Sequence, residues 1–469
     1  MQAVSGTIYL TEEIRRIEAR CGVPEPELMQ RAAQAALDVA LRIAAEKKDV
    51  LVLAGPGNNG GDARIVAELL RERFFRVHLV AQRSELVDRP WGLVVDGLFG
   101  IGLSRDIEGE YATLVEYVNR QRCPVLALDI PSGLHSDSGR VLGQAVRATH
   151  TVTFIALKPG LLTLDGPDHC GELTVADLGL PASRIATPRA WVAGLAAFES
   201  ALKRRPRNFH KGMAGSLAVL GGASGTTGAA LLAARAALKL GAGRVYVGLL
   251  DETIPIDLHN LELMLRHPDD ALGQDLDAIV IGPGLGQGER AETLVGAALA
   301  SDLPCVIDAD ALNLISENED LRHACARRSA DTLLTPHPAE AARLLALKTA
   351  DVQADRVKAA RILAENLNAH VVLKGAGSIL AARDGHWFIN TSGNPGMASA
   401  GMGDVLAGML GALLAQRYSG ETALVLGVHL HGRAADELVR NGIGPVGITA
   451  SEIIDAARRC WNGWLNQGP

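Results

Sequence analysis

The chain has few aromatic residues, few cysteines and no excess of positive charge. Phe, Trp and Tyr make up 4% of its 469 residues, whereas glycine alone numbers 51. That balance suits an α/β enzyme built on glycine loops. The six cysteines (Cys21, Cys123, Cys170, Cys305, Cys325, Cys460) include no C-x-x-C pair. Their scatter argues against a disulfide framework or a zinc site and for reduced thiols in a cytoplasm. A net charge of -7 argues against nucleic acid or an anionic membrane as partner. It leaves a nucleotide open, since that needs only a local anion site. No apolar run reaches the ~18 residues of a membrane span; residues 228–243 come nearest and are interrupted by Arg235 and Lys239. The first ten residues lack a basic region followed by an apolar one, so no signal peptide is expected.

What is present is an alternation of strand and helix patterns, twice over. In the first half, helix patterns at 12–20 and 26–45 precede a short apolar run at 50–54 that fits a buried parallel strand. A helix pattern at 62–73 follows, with strand patterns at 77–81, 93–95, 125–128 and 151–155. Residues 196–210, with the basic, proline-broken Lys203-Arg-Arg-Pro-Arg-Asn208, read as a joint. The second half restarts with strand patterns at 216–220, 245–249, 278–281, 305–307, 332–334 and 371–373, and helix patterns at 227–240, 339–347 and 351–366. Both halves therefore predict α/β folds, the first with a Rossmann-like doubly wound parallel sheet. In such sheets ligands bind at the carboxyl ends of strands, where the glycine turns Gly221-Gly222, Gly282-Pro-Gly-Leu-Gly286 and Lys374-Gly-Ala-Gly-Ser378 lie.

Gly55, Gly57 and Gly60 fit G-x-G-x-x-G, a weak dinucleotide signal by itself. A redox site also wants an acidic residue after the second strand, and Val80-Ala-Gln-Arg83 supplies none. Asn58 and Asn59 instead place two amides in the turn, which suits a cation or a ribose. Asp96 and Asp129 end further strands. The order Asn58-Asn-Gly-Gly-Asp62, Val95-Asp-Gly-Leu-Phe-Gly-Ile-Gly102, Leu128-Asp-Ile-Pro-Ser-Gly133 resembles the NAD(P)H-hydrate epimerase domain, over about residues 1–200. The resemblance implies a potassium ion held by the oxygen ligands Asn59, Asp96 and Ser132. It implies substrate contacts at Asn58, Asn59, Gly60, Gly61 and Asp62, and at Gly100, Ile101, Gly102, Leu103, Ser104, Arg105 and Asp106. Tyr111 and Asp129 join them, with Asp129 as the acid/base that inverts the hydrated carbon C6. Ala63 stands where the family has Gly, and Gln30 and Ala33 replace its Glu and Gly.

The most informative stretch is Asn394-Pro-Gly-Met-Ala-Ser-Ala-Gly-Met-Gly-Asp404, which runs into an apolar helix pattern at 405–414. Gly401 and Gly403 free backbone N–H groups to face an anion, and the helix adds its own N-terminal donors. Asp404 would then be a carboxylate beside that anion, able to take a proton from a hydroxyl; a glycine loop with an Asp helix cap has the same letters. Together with His210-Lys-Gly212, Thr226-Thr-Gly-Ala229, Asp308-Ala-Asp-Ala-Leu-Asn313 and Thr335-Pro-His-Pro338, residues 205–465 resemble the ADP- or ATP-dependent NAD(P)H-hydrate dehydratase domain, which is ribokinase-like. The resemblance implies Asp404 as catalytic base, substrate contacts at Gly286, His337 and Asp404, and nucleotide contacts at Lys374, Gly375, Ala376, Gly377, Ser378 and Gly403. Lys374 to Ser378 would wrap the adenosine end. Mg2+ is expected with ADP or ATP. The family's Gly and Ser/Thr are replaced by Ala400 and Met402, the latter removing a hydroxyl near the phosphates. Hydrated NADH or NADPH and ADP or ATP are the implied partners, in a homo-oligomer. The alternative is a ribokinase-type kinase of a vitamin-like alcohol with a degenerate first half.

Overall fold

The computed structural model describes residues 6–44, 48–202, 204–251 and 253–467. Lys203 of the basic joint, Ala45 of the second helix pattern and the first five residues fall outside them. The chain divides into two compact units, Met1–Val192 and Ala193–Pro469.

The first unit is built on β1 (Asp49–Ala54), β2 (Arg76–Val80), β3 (Leu93–Gly97), β4 (Val125–Leu128), β5 (His150–Phe154) and β6 (Glu172–Ala176), in the order β2-β1-β3-β4-β5-β6. All neighbours are parallel. Alternation along β1 feeds two cores. Val50, Val52 and Ala54 join a cluster with helices α1 (Thr11–Arg20), α2 (Glu25–Ile43) and α3 (Asn58–Glu72). Leu51 and Leu53 join another with Leu114, Val115 and Val118 of α4 (Gly109–Asn119). The chain leaves β1 toward β2 on one side and returns to β3 on the other. The crevice of this sheet therefore opens above the carboxyl ends of β1 and β3.

The second unit orders its strands β15-β14-β13-β12-β11-β10-β7-β8-β9. They are β7 (Ser216–Gly221), β8 (Arg244–Leu249), β9 (Met264–Arg266), β10 (Ala278–Ile281), β11 (Cys305–Ile307), β12 (Thr332–Leu334), β13 (His370–Leu373), β14 (Ser378–Ala381) and β15 (Trp387–Asn390). β13, β14 and β15 are antiparallel neighbours, the rest parallel. The last two strands and β6 and β9 escape the sequence patterns; β14 and β15 form a hairpin behind Lys374. The helix pattern 351–366 is two helices, Thr349–Ala354 and Arg356–Asn366, broken at Asp355, whose side chain accepts from the Lys358 N–H. The apolar run ahead of residue 415 forms helix α8 (Met402–Ala415), buried along most of its length. It lies close on α5 (Thr227–Lys239), for a Cβ at Gly408 would stand 1.9 Å from the Ala233 carbonyl oxygen. The first turn of α8 lies over the carboxyl ends of β11 and β13, for a Cβ on Gly403 would stand 3.7 Å from Oδ2 of Asp308 and 3.3 Å from Nζ of Lys374. Among the described residues no helix is long and apolar enough to cross a membrane.

Candidate functional sites in the two units

In the first unit α3 begins at Asn58, not at Asp62, so the two amides belong to its first turn instead of a preceding loop. Here the glycines of the fingerprint serve close packing: a Cβ on Gly60 would lie 1.9 Å from the Gly55 carbonyl oxygen, and one on Gly55 1.8 Å from that of Leu98. Ala63, where glycine was expected, sits fully buried against Gly97, whose own Cβ would meet it at 2.4 Å. Glycine at 97 thus leaves room for the Ala63 methyl.

This packing drives Asn59 and Asp62 into the crevice. Both amide atoms of Asn59 and Oδ1 of Asp62 are buried without a hydrogen-bond partner. Burial pushes the Asp62 carboxyl up to about 8, helped by the charges of Asp129 and Glu18. Glu18, on α1, is also pushed up, by burial and then by Asp129. Asn58 points outward and donates to Glu25 at 2.7 Å.

Asp96, the penultimate residue of β3, is fully buried. Its Oδ1 accepts from the Ser132 hydroxyl at 2.6 Å and the Leu98 N–H at 3.2 Å, and its Oδ2 from the Ser132 N–H at 2.9 Å. Burial still holds its carboxyl above the ordinary range. The Ser132 hydroxyl also accepts from the Phe99 N–H at 2.9 Å. Gly100 faces both Asn59 and Asp129: a Cβ there would stand 3.4 Å from the Asn59 side chain and 3.5 Å from Oδ2 of Asp129. Past it, Gly102, Ser104, Arg105 and Asp106 are exposed, while Ile101 and Leu103 are half-buried. Tyr111 packs edge-on against Phe99, with centroids 4.9 Å apart. Asp129 is held at φ 64, a left-handed conformation that costs a non-glycine residue about 1 kcal/mol or more. Its Oδ1 lies 2.5 Å from the ammonium of Lys158, a residue with 0% exposure that the sequence patterns did not single out.

In the second unit the N-cap of α8 is Gly401, at φ 86, and Asp404 lies in the first turn. Asp404 is therefore not a helix cap. Asp308 follows β11, Thr335 follows β12 and Lys374 follows β13, so all three reach one end of the sheet. Asp308 Oδ1 accepts from the Thr335 hydroxyl at 2.5 Å and the Lys374 ammonium at 3.1 Å. Glu340 lies 3.9 Å from the same ammonium. A Cβ on Gly403 would stand 3.3 Å from Lys374 Nζ. Burial draws the lysine pKa down, but Asp308 and Glu340 outweigh it and hold it above the ordinary value. Asp404 is pushed up to about 6 by burial and by Asp308 and Asp310, against the pull of Lys374.

The ammonium of Lys374 thus reaches the start of α8. The turn behind it carries Gly375 at φ 145 and Gly377 at φ 59, and the Ser378 hydroxyl bonds back to the Gly375 carbonyl at 3.0 Å. A Cβ on Gly375 would crowd the buried guanidinium of Arg356 at 2.7 Å. His337 caps helix Pro338–Leu345, its Nδ1 accepting from the Ala339 N–H at 3.1 Å, and its side chain is 48% exposed. Gly286, at φ 75, donates its N–H to Asp310 at 2.9 Å. His431 is buried beside this cluster; burial and Lys374 push its pKa down to about 4.

Two crevices at carboxyl strand ends, one lined by buried oxygen donors and one pairing a carboxylate with a glycine-capped helix start and a lysine, define an α/β enzyme with two separate sites. The family profile described as NAD(P)H-hydrate dehydratase matches residues 217–459, and that described as YjeF-related protein N-terminus matches residues 25–91 and 81–160. The Bifunctional NAD(P)H-hydrate repair enzyme Nnr of Coxiella burnetii is 38% identical over 95% of this chain and 97% of its own length. That of Escherichia coli is 37% identical over 98% and 95%. A solved ADP/ATP-dependent NAD(P)H-hydrate dehydratase from Bacillus subtilis, co-crystallised with ATP and Mg2+, superposes with a TM-score of 0.53 at 29% identity, covering 58% of this chain and 98% of that one. The chain belongs to the bifunctional NAD(P)H-hydrate repair enzyme family.

Proposed function

We propose that the first unit interconverts the R and S hydrates of NADH and NADPH, and that the second dehydrates the S hydrate to NAD(P)H at the expense of ADP or ATP. The observation that carries the reading is the setting of Asp404. Its carboxyl stands in the first turn of α8, behind Gly401 and next to Gly403, with Lys374 against that glycine.

The hydroxyl on C6 of the hydrate is a poor leaving group. Asp404 takes its proton, and the oxygen attacks the terminal phosphoryl of the nucleotide. The N–H groups around Gly401–Gly403 and the Lys374 ammonium offset the charge that spreads over that phosphoryl group. Departure of phosphate from C6 and a proton from C5 restores the dihydropyridine ring. Carboxylates outnumber cations among Asp308, Asp310, Glu340, Asp404 and Lys374, which fits a nucleotide that arrives carrying Mg2+; the ion supplies charge neutralisation across the phosphates. Gly286 and His337 contact the hydrate, and Gly375, Ala376, Gly377 and Ser378 line the nucleotide.

In the first unit Asp129 is the acid/base, and the loop from Gly100 to Asp106, with Asn58 to Asp62 and Tyr111, holds the hydrate. Potassium fits Asn59, Asp96 and Ser132, because the Asn59 amide oxygen is buried with no donor of its own and all three offer oxygen to a hard cation. Bound there, it supplies fixed positive charge beside the carboxylates. The six thiols are free, in keeping with a cytoplasmic location. The exposed Ile256, Leu258 and Leu261 support a homo-oligomer, to be tested by sedimentation.

The deciding experiment mixes the purified protein with each hydrate epimer and ADP or ATP and follows the near-ultraviolet absorbance of NADH. Recovery from both epimers is expected. No recovery from either overturns the proposal, and a stable phosphorylated product would assign the second unit to a small-molecule kinase instead.

A further inference from the structure

The two oxygens of the Asp129 carboxylate have different neighbours. Oδ1 accepts from the Lys158 ammonium at 2.5 Å and the Phe154 N–H at 3.3 Å, with the Thr153 hydroxyl at 3.5 Å. Oδ2 is the oxygen that faces Gly100 and the crevice. Lys158 is buried as completely as any leucine in the core. Its remaining donors go to the Thr153 hydroxyl at 2.9 Å and the Phe154 carbonyl at 2.7 Å. The three partners of its ammonium thus come from the end of β5 and from the strained residue after β4. A buried charge is tolerated only when paired and hydrogen-bonded, and the one carboxylate that pairs with this ammonium is that of Asp129.

Nothing about the strands requires a cation there. A leucine at 158 would fill the same space without the cost of removing an ammonium from water. The neighbouring charges make the arrangement more telling. The Asp129 charge helps push up the carboxyls of Glu18 on α1 and Asp62 on α3, so it stands among acidic groups. In that company, a carboxylate at φ 64 would turn away unless a cation pinned it.

We propose that Lys158 is a positioning residue for the epimerase reaction: it clamps Oδ1 of Asp129 so that Oδ2 alone is presented to the C6 carbon of the hydrate. The inference rests on the epimerase reading of the first unit. Lys158 does not touch the substrate; it acts through Asp129.

The test uses the full chain without nucleotide, so that only interconversion of purified epimers is read, and then with ADP, where dehydration of the S hydrate reports on the second unit. In Lys158→Met the epimerase kcat is expected to fall at least about 100-fold, the lower range for a positioned acid or base. KM should stay within about threefold and dehydration unchanged, as for loss of a group that acts in the transition state. Asp129→Asn should lose as much, and the double variant no more than Asp129→Asn alone, since residues acting as one unit are not additive. Lys158→Arg keeps the charge but misplaces the donors, so it should fold and still lose kcat. Thermal unfolding of the first unit accompanies each variant. Full kcat in folded Lys158→Met or Lys158→Arg, or multiplying losses in the double variant, overturns the inference while the epimerase reading stands. A wild-type chain that leaves both epimers unchanged overturns the reading and the inference with it.

Discussion

Replacing Asp404 by Asn should remove dehydration and, at neutral pH, make the second unit more stable. The carboxyl is pushed from an ordinary 3.8 to about 6, mainly by burial and then by Asp308 and Asp310. The folded state therefore favours the protonated acid. The stability that this group contributes is present in full below pH ~4 and is lost as pH rises through about 6. The difference between 3.8 and about 6 corresponds to about 3 kcal/mol. Asn keeps the shape without the charge, so its advantage over Asp should be near zero at pH 4 and approach about 3 kcal/mol at pH 7.5. Urea unfolding followed by hydrogen exchange within α8 isolates this unit from the first. Dehydratase turnover should drop by about 10²–10⁴ in the same variant. An Asn variant that is no more stable than wild type at pH 7.5, or whose advantage does not shrink on acidification, would refute the argument that Asp404 is held at a cost to the fold for its chemistry.

Dehydration of purified S hydrate should gain rate as pH rises through about 6, because only ionised Asp404 can accept a proton; a flat kcat/KM profile between pH 5 and 7.5 would contradict it. Gly60→Ala places a methyl 1.9 Å from the Gly55 carbonyl oxygen, so the first unit should lose about 2 kcal/mol or more and epimerisation with it, while dehydration persists; calorimetry and the two assays check this. Potassium should raise the thermal midpoint of the first unit above that in an equal concentration of a choline salt, as any ligand of the folded state does. Asn59→Leu should abolish that response, and an unchanged response would remove Asn59 from the cation site.

The inner parallel strands were legible because burial on both faces writes them as short apolar runs, whereas the parallel edge strands β6 and β9 are only partly buried and were not. Val50-Leu-Val-Leu and Ala278-Ile-Val-Ile need no context. The hairpin of β14 and β15 was not, for Ser378–Ala381 and Trp387–Asn390 are short and sit among polar turns that give no period. Helix starts were misplaced where glycine occupies the first turn. Asn58-Asn-Gly-Gly has poor helix propensity, yet packing of Gly60 on Gly55 fixes it as helix, and tertiary contact overrides the local preference.

The same distinction governs the sites. A strand-end carboxylate or a glycine-capped helix start leaves a local signature, as Asp96, Asp129 and Gly401 to Asp404 do. A residue that acts through another residue leaves none. Lys158 stands before Pro159 in a segment that reads as an ordinary strand exit, and Glu18 is one of several acids on an amphipathic helix. Their significance arises only when the return of the chain from β5 brings an ammonium within 2.5 Å of Asp129, and when α1 brings a second carboxyl toward Asp62. Lys374 is intermediate. Its motif was visible, but its contacts with Asp308 and Gly403 were not, because those residues are distant in sequence and meet it only at the strand ends. Motif reading therefore finds the groups proposed to meet substrate and misses the side chains packed against them, since those are gathered from distant parts of the chain by the topology.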